Sequence, residues 1–424
     1  MADRIYGSVQ FIGLSVSATP DNLTSIEDMS DDGKYLGYDS VEKDIEARLA
    51  LLSGTIEKAL GEANQSISVL KIFVIPEFFF RGNKGAYFGT SDALFGARFK
   101  KFIDAVLSRT CFMDWLFVLG TFLSSEDKVD KTKQPTAELF PIGDDLLNVY
   151  YRLHPKQMGA AANKSPLAPS PSLLKKIDEL ETLQLNAPEN EAVLADLGAN
   201  DGDGPYLSVL KSTLNYCDLS AEITVSNRCF IIQGGSTHPR VITVLKKHKS
   251  KEDFILNAVE NNYIQSITKY KAIAELSEKK RSDGDEYSIF EYGGLSFGVE
   301  ICLDHSRKRL LNHWKSHPME NVDVQLIPSC GMDIRADSVV AKKGGLVFNC
   351  DGEYVILDDG KPGAENGEKS HTALKRVEKA VTPTSPAVLS KYIPAASKVE
   401  LSHDGSLYPC NKYHLHIYGV HTLR

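Results

Sequence analysis

Three residues in this 424-residue chain have the types and the placement to act on a carbonyl group. Glu77 ends the apolar run in "KIFVIPEFFF" (71–80), Lys246 and Lys247 end "RVITVLKKHKS" (240–250), and Cys302 ends "GGLSFGVEIC" (293–302). Each falls at the carboxyl end of a predicted strand, where an α/β sheet usually places its site. A free cysteine has a pKa of about 8.5, so a carboxylate beside it can take the thiol proton and later activate water. A lysine ammonium near the carbonyl stabilises the tetrahedral oxyanion, with the backbone N–H of Leu303 as a second donor. That set transfers an acyl group from nitrogen to sulfur to water and needs no metal and no cofactor. Type and position alone leave an ordinary alternative open for each residue: a solvated strand edge for the glutamate, a solvated turn for the lysine pair, core for the cysteine. A nucleophilic Cys302 would alkylate faster than the other six cysteines and with a lowered pKa.

The elements that would hold these residues follow from periodicity. "YGSVQFIGLSV" (6–16) alternates as a strand, and "SVEKDIEARLALLSGTIEKAL" (40–60) has a serine cap signal and helical apolar spacing. Strand 71–80 breaks at Pro76, 92–110 is helical, and "WLFVLGTFLS" (115–124) is a fully apolar strand. Strand, helix, strand, helix, strand predicts a layered α/β domain. Stretch 125–220 is polar and punctuated by "NKSPLAPSPS" and "GANDGDGP", with one helix expected over 172–184. It reads as an insertion, a lid or an oligomer contact. Strands resume at 221–235 and 240–250 across a Gly-Gly turn, and a charged helical stretch, 251–281, reads as a second insertion. A strand pair over 287–302, a strand over 322–331, a hairpin over 344–357 and a final strand over 412–424 complete the pattern.

Bulk properties narrow the function classes. The net charge of −8 lacks the basic footprint of a nucleic-acid or anionic-membrane binder, so neither partner is expected. No apolar run approaches the ~18 residues of a membrane span, and the opening residues do not read as a signal peptide, so none is expected. Seven cysteines, with no CxxC, read as free thiols in a reducing compartment, so the expected location is cytoplasmic. His154, His238, His248 and His305 are scattered, and no metal site is expected. At ~150 residues per domain the length suits two or three domains, or one large domain with insertions.

Three ordered motifs resemble the nitrilase, or carbon–nitrogen hydrolase, superfamily. "VIPEFFF" resembles its proline–glutamate strand end. "SNRCFIIQGG" followed by "VITVLKKHKS" resembles its Asn-led strand, turn and strand ending in lysine–x–histidine. "SDGDEYSIFEYGGLSFGVEICLDH" (282–305) resembles the hairpin leading to its nucleophile, with Asp304 two residues after Cys302. "VDVQLIPSCG" and "VFNCDG" are similar to the strands that follow. The resemblance implies a single catalytic domain over 1–424 with the fold of a four-layer α-β-β-α sandwich, pairing into homodimers or larger homo-oligomers. It implies an amidase acting on a non-peptide carbon–nitrogen bond of a small molecule, with Glu77 as base, Lys246 as oxyanion stabiliser and Cys302 as nucleophile. Acyl transfer to an amine and nitrile hydrolysis are alternatives on the same scaffold, and a non-catalytic binding protein is the alternative from another class. Lys246 is preferred to Lys247 because Lys246–Lys247–His248 reproduces the lysine–x–histidine spacing. Lys156 in "NVYYRLHPKQM" is a rival lysine, and Glu260 matches a second family glutamate by distance. Of Phe78, Phe79 and Phe80, at least two are expected under the helices and one beside the substrate. Cys330 reads as a core or supporting thiol, and Asp304 and Arg307 as structural hydrogen-bonding groups at the nucleophile turn.

Overall fold

The computed structural model describes residues 4–18, 36–82, 86–87, 91–127, 223–248, 288–316, 321–353, 355–356, 368–408 and 411–423. Lys156, Glu260, the expected helix 172–184, the stretch 251–281 and all of 125–220 beyond residue 127 lie outside them.

The first half of the chain builds β1 (Ser8–Ser15), α1 (Val41–Glu62), β2 (Val69–Val74), α2 (Ser91–Phe102), β3 (Trp115–Asp127), β4 (Ile223–Gln233) and β5 (Val241–Leu245). The second half adds β6 (Ile289–Tyr292), β7 (Leu295–Val299), α3 (Leu303–Ser306), α4 (Arg309–Ser316), β8 (Val322–Ser329) and β9 (Ala341–Asp351). Short strands β10 (Val355–Ile356) and β11 (Glu368–Lys369) pair with each other, and β12 (Ala373–Lys379), β13 (Val388–Leu389), β14 (Ser397–Ser402) and β15 (Lys412–Thr422) follow. The result is mixed α/β, with a seven-stranded sheet ordered β14-β15-β1-β2-β3-β4-β5 and a six-stranded sheet ordered β13-β12-β9-β8-β7-β6. Neither closes into a barrel. Each has a parallel centre, β1-β2-β3 in one and β7-β8-β9 in the other, flanked by antiparallel strands.

Alternation along the central strands explains why the sheets pack against each other. In β2, Leu70, Ile72 and Val74 face one way and meet Phe297, Val299, Val324, Leu326 and Phe348 of the other sheet. Phe73 faces the opposite way, into a cluster with Ile45, Leu49, Leu52 and Ile56 of α1. Those four recur at helical spacing on one stripe. Helix α1 begins at Ser40, whose hydroxyl accepts the Lys43 N–H, with Glu42 and Asp44 in the first turn where the helix dipole favours them. On the far face of the second sheet, Leu310 and Leu311 of α4 pack on Val322, Val347 and Val377.

Two expectations need correction. Strand β3 runs on to Asp127 and pairs there with Ile223, so it passes the point where the first insertion is expected to begin. The expected hairpin at 344–357 does not form: β9 is one strand between β8 and β12, and Val355–Ile356 pairs with Glu368–Lys369. The edge of β9 is already taken by β12. The chain beyond Asp351 is drawn instead to the end of β8, where the Gly352 N–H donates to the Ser329 carbonyl at 2.8 Å.

Candidate active site

Glu77 comes three residues after β2. Pro76 has no N–H and ends the ladder, and the Glu77 N–H then crosses to the second sheet, donating to the Ser329 carbonyl at 3.1 Å. That bond joins the carboxyl ends of β2 and β8. The bend is close-packed: a side chain at Gly120 would place a Cβ 2.2 Å from the carbonyl oxygens of both Ile75 and Pro76. Phe78 takes a positive φ of 62°, and its N–H donates to Thr121 Oγ1 at 2.9 Å. This turn aims the fully buried Glu77 side chain between the sheets. Phe79 and Phe80 pack beneath the helices, whereas the Phe78 ring lies 5.6 Å from Lys246 Nζ and 4.6 Å from the Arg81 guanidinium carbon. The Phe79 carbonyl is fixed by Arg48 Nη1 at 2.9 Å and by the Tyr408 hydroxyl at 2.7 Å.

Lys246 comes one residue after β5. Its N–H donates to the Asn227 carbonyl at 2.9 Å, and its ammonium lies 2.8 Å from Glu77 Oε1, with both side chains fully buried. Asn227 on β4, also fully buried, donates its Nδ2 to the same Glu77 oxygen at 2.9 Å. The adjacent Lys247 is exposed, and its backbone N–H donates to the Asp304 carboxylate. Position 246 therefore meets the glutamate and position 247 does not.

Cys302 sits on a strained turn. Its φ of 44° and ψ of −106° are unusual for a residue with a side chain, and the Asp304 N–H closes the turn onto the Ile301 carbonyl at 3.0 Å. Such a backbone costs on the order of 1–3 kcal/mol and persists only where its surroundings impose it. Here they do. The Cys302 N–H donates to the Pro328 carbonyl at 3.0 Å, its carbonyl accepts the His305 N–H at 2.9 Å, and α3 starts at Leu303 immediately after. The Leu303 N–H is in the first turn of that helix, among the donors left without an intrahelical acceptor. The thiol points to the Cys330 carbonyl at 3.5 Å and lies in the field of the Glu77 and Lys246 charges.

The electrostatics overturn one expectation. The Cys302 thiol is not lowered in pKa but pushed well up, first by burial and then by the negative charge of Glu77; Lys246 pulls it down but does not prevail. The resting site therefore holds a neutral thiol beside an ammonium–carboxylate pair.

Two buried networks support the turn. Asp304, two residues past the cysteine, accepts the N–H groups of Lys247 (3.0 Å) and His248 (2.7 Å), His248 Nδ1 (2.9 Å) and Arg309 Nη1 (2.8 Å). It thereby ties the Cys302 turn to the strand end that carries Lys246. Asp304 is a structural hydrogen-bonding group as expected, and the guanidinium on it is that of Arg309. Burial alone would raise its carboxyl; His248, Arg309 and the two N–H donors outweigh that and hold it below the usual range. In the second network Glu300 accepts from Gln325 Nε2 (2.8 Å) and the Leu310 N–H (2.8 Å), and pairs with His305 Nδ1 at 2.7 Å. His305 Nε2 accepts the Arg335 N–H at 3.0 Å, which makes Nδ1 the protonated nitrogen. Sequence reasoning missed Glu300 and Gln325. Their signal was a carboxylate and an amide inside otherwise apolar strands, where a polar side chain must be paired.

Cys330 is 6% exposed and contributes its carbonyl to the site. Among the described residues no group of three or more His, Cys, Asp or Glu side chains could hold a metal ion, and no helix is long and apolar enough to cross a membrane. Compared with known proteins, the chain matches no family model and no curated sequence.

Proposed function

We propose that the chain is a hydrolase of the nitrilase type, cleaving a non-peptide carbon–nitrogen bond, most simply an amide. The observation that carries this reading is the convergence of Glu77, Lys246 and Cys302. A buried carboxylate pairs with an ammonium at 2.8 Å, and the charges of both act on a thiol held on a strained turn. The two sheets with helices on their outer faces support the finer reading of a four-layer α-β-β-α sandwich. The substrate is a small molecule, the location cytoplasmic and the assembly a homo-oligomer.

In the mechanism, Glu77 removes the thiol proton as Cys302 Sγ attacks the carbonyl carbon. Lys246 Nζ and the Leu303 N–H hold the oxyanion. The tetrahedral intermediate collapses, the carbon–nitrogen bond breaks, and the amine leaves with the proton held by Glu77. Water, deprotonated by Glu77, attacks the thioester, the carbon–sulfur bond breaks, and the acid is released with the thiol reprotonated.

p-Nitrophenyl acetate tests this directly, because an activated acyl donor reports the nucleophile without knowledge of the natural substrate. The expected result is a burst of nitrophenolate and an acetyl adduct mapped by mass spectrometry to Cys302. Cys302→Ala should abolish both while the unfolding temperature stays close to wild type. A burst retained in Cys302→Ala, or an adduct mapped to another cysteine, refutes the assignment.

A further inference from the structure

Among the described residues, Glu77 Oε1 receives two donors, Lys246 Nζ at 2.8 Å and Asn227 Nδ2 at 2.9 Å. Of the two, only Lys246 is explained by the acyl-transfer chemistry. Asn227 is fully buried on β4, opposite Leu123 of β3, and contacts the site twice. Its side chain holds the carboxylate, and its backbone carbonyl accepts the N–H of Lys246 at 2.9 Å. One residue thus fixes the base and, through the main chain, the start of the lysine that pairs with it.

We propose that Asn227 is a positioning residue that assigns separate roles to the two oxygens of Glu77, a proposal that rests on the acyl-transfer reading above. A carboxylate oxygen offers about two lone-pair sites. With both sites of Oε1 taken by Lys246 and Asn227, Oε2 is the oxygen that receives the thiol proton. The amide contributes in a second way. A hydrogen bond donated to a carboxylate favours its ionised form, so Asn227 keeps Glu77 a base in a fully buried position, where desolvation alone would protonate it. The ammonium cannot do this unaided throughout the cycle, because in the acyl-transfer step it also turns towards the oxyanion. Asn227 carries no charge and takes no proton, so it holds the carboxylate at every stage.

The prediction is a movement of the pH profile rather than a loss of activity alone. The rate of the p-nitrophenyl acetate burst at Cys302 should fall at low pH as Glu77 becomes protonated. In Asn227→Ala that acid limb should move up by roughly one pH unit, a tenfold change in the protonation equilibrium. In Asn227→Asp it should move up further, because a second carboxylate beside Glu77 opposes its ionisation. Asn227→Asp preserves the side-chain shape, so it reads the same quantity if the alanine variant fails to fold. A uniform drop in burst rate with the acid limb unmoved would make Asn227 merely structural and overturn the proposal. If wild type shows no burst at Cys302, the acyl-transfer reading itself has failed. A wild-type burst with an unmoved limb in both variants sinks only the role of Asn227.

Discussion

Replacing Glu77 by glutamine should move thiol reactivity and turnover in opposite directions. The change keeps the shape of the side chain and removes its charge and its basicity. Lys246 then loses a counter-ion at 2.8 Å in a site where both partners are fully buried. Coulomb's law at an effective dielectric constant of 20 puts that attraction at about 6 kcal/mol, of which desolvation cancels part. Breaking a buried pair by removing one partner typically costs about 3–5 kcal/mol. Such a loss lowers the unfolding temperature by about 2–4 °C per kcal/mol in chains of 150–250 residues, and by less per kcal/mol in a chain of this length. The thiol responds to the same change. The Glu77 charge is, after burial, the largest influence raising the Cys302 pKa, while Lys246 lowers it. Without Glu77 only burial opposes the ammonium, so the Cys302 pKa falls. Iodoacetamide should therefore alkylate Cys302 at lower pH in Glu77→Gln than in wild type, measured by peptide mapping across the alkaline range. Turnover should drop by about 10²- to 10⁴-fold, the usual contribution of a general base. If the alkylation midpoint rises or stays put while turnover survives, Glu77 is not the group that controls the thiol.

Asp304→Asn should destabilise the protein by about 2–4 kcal/mol near neutral pH, because a buried carboxylate that receives four donors becomes an amide with a single acceptor oxygen. Asp304 is held below its ordinary value, so its contribution is fully present above the unfolded carboxyl pKa of about 3.9 and fades as the pH falls through the lower folded value. Urea melts of the two proteins should accordingly converge below about pH 4, and a gap independent of pH would contradict the charge argument. Gly120→Ala places a Cβ 2.2 Å from two backbone oxygens at the bend before Glu77, so it should cost at least the ~1–3 kcal/mol of ordinary overpacking and slow acylation at Cys302. An alanine variant with wild-type melting and burst rate would show that the bend yields freely. His305→Ala removes the acceptor of the Arg335 N–H and the partner of Glu300, and should lower the burst rate and the unfolding temperature together; unchanged values of both would detach this network from the nucleophile turn.

The three residues of the candidate site were legible because each is a polar group that ends an apolar strand, and their order along the chain added what no single position carried. Lys246 could be separated from Lys247 only by the spacing to His248, and the structure shows why the spacing matters. The exposed lysine and the histidine give their N–H groups to Asp304, which leaves the residue before them to turn inwards. Asn227 lay within a recognised strand, yet its function depends on meeting a carboxylate 150 residues away, which no local pattern records. Strands β12 to β14 were missed for a different reason. "ALKRVEK" and "SKVELS" are largely polar, and they form by pairing on edges that β9 and β15 already present. The failed hairpin at 344–357 follows the same rule, since the neighbour available to a strand is set by the assembled sheet and not by the adjacent segment.

The direction of the Cys302 pKa changes what the strain at that turn is for. A cysteine poised as a thiolate would need only exposure to react; a buried neutral thiol needs its acceptor in place at the moment of attack. The positive φ at Cys302 and the positive φ at Phe78 turn the thiol and the residue beside the carboxylate out of two different sheets towards one point. Neither conformation is intrinsically favoured, and each is imposed by hydrogen bonds to the neighbouring strand, Pro328 for the cysteine and Thr121 for the phenylalanine. The bond from the Glu77 N–H to Ser329 joins the end of β2 to the end of β8, the strand that also holds the Cys302 N–H, so the distance from thiol to carboxylate is set by the packing of the two sheets. In the proposed reaction, charge separation is then confined to the acylation step, because the pair at rest is neutral overall. A change that loosens the contact between sheets should therefore slow acylation before it unfolds the chain, because the catalytic distance spans that interface while most of the hydrogen-bond ladders do not.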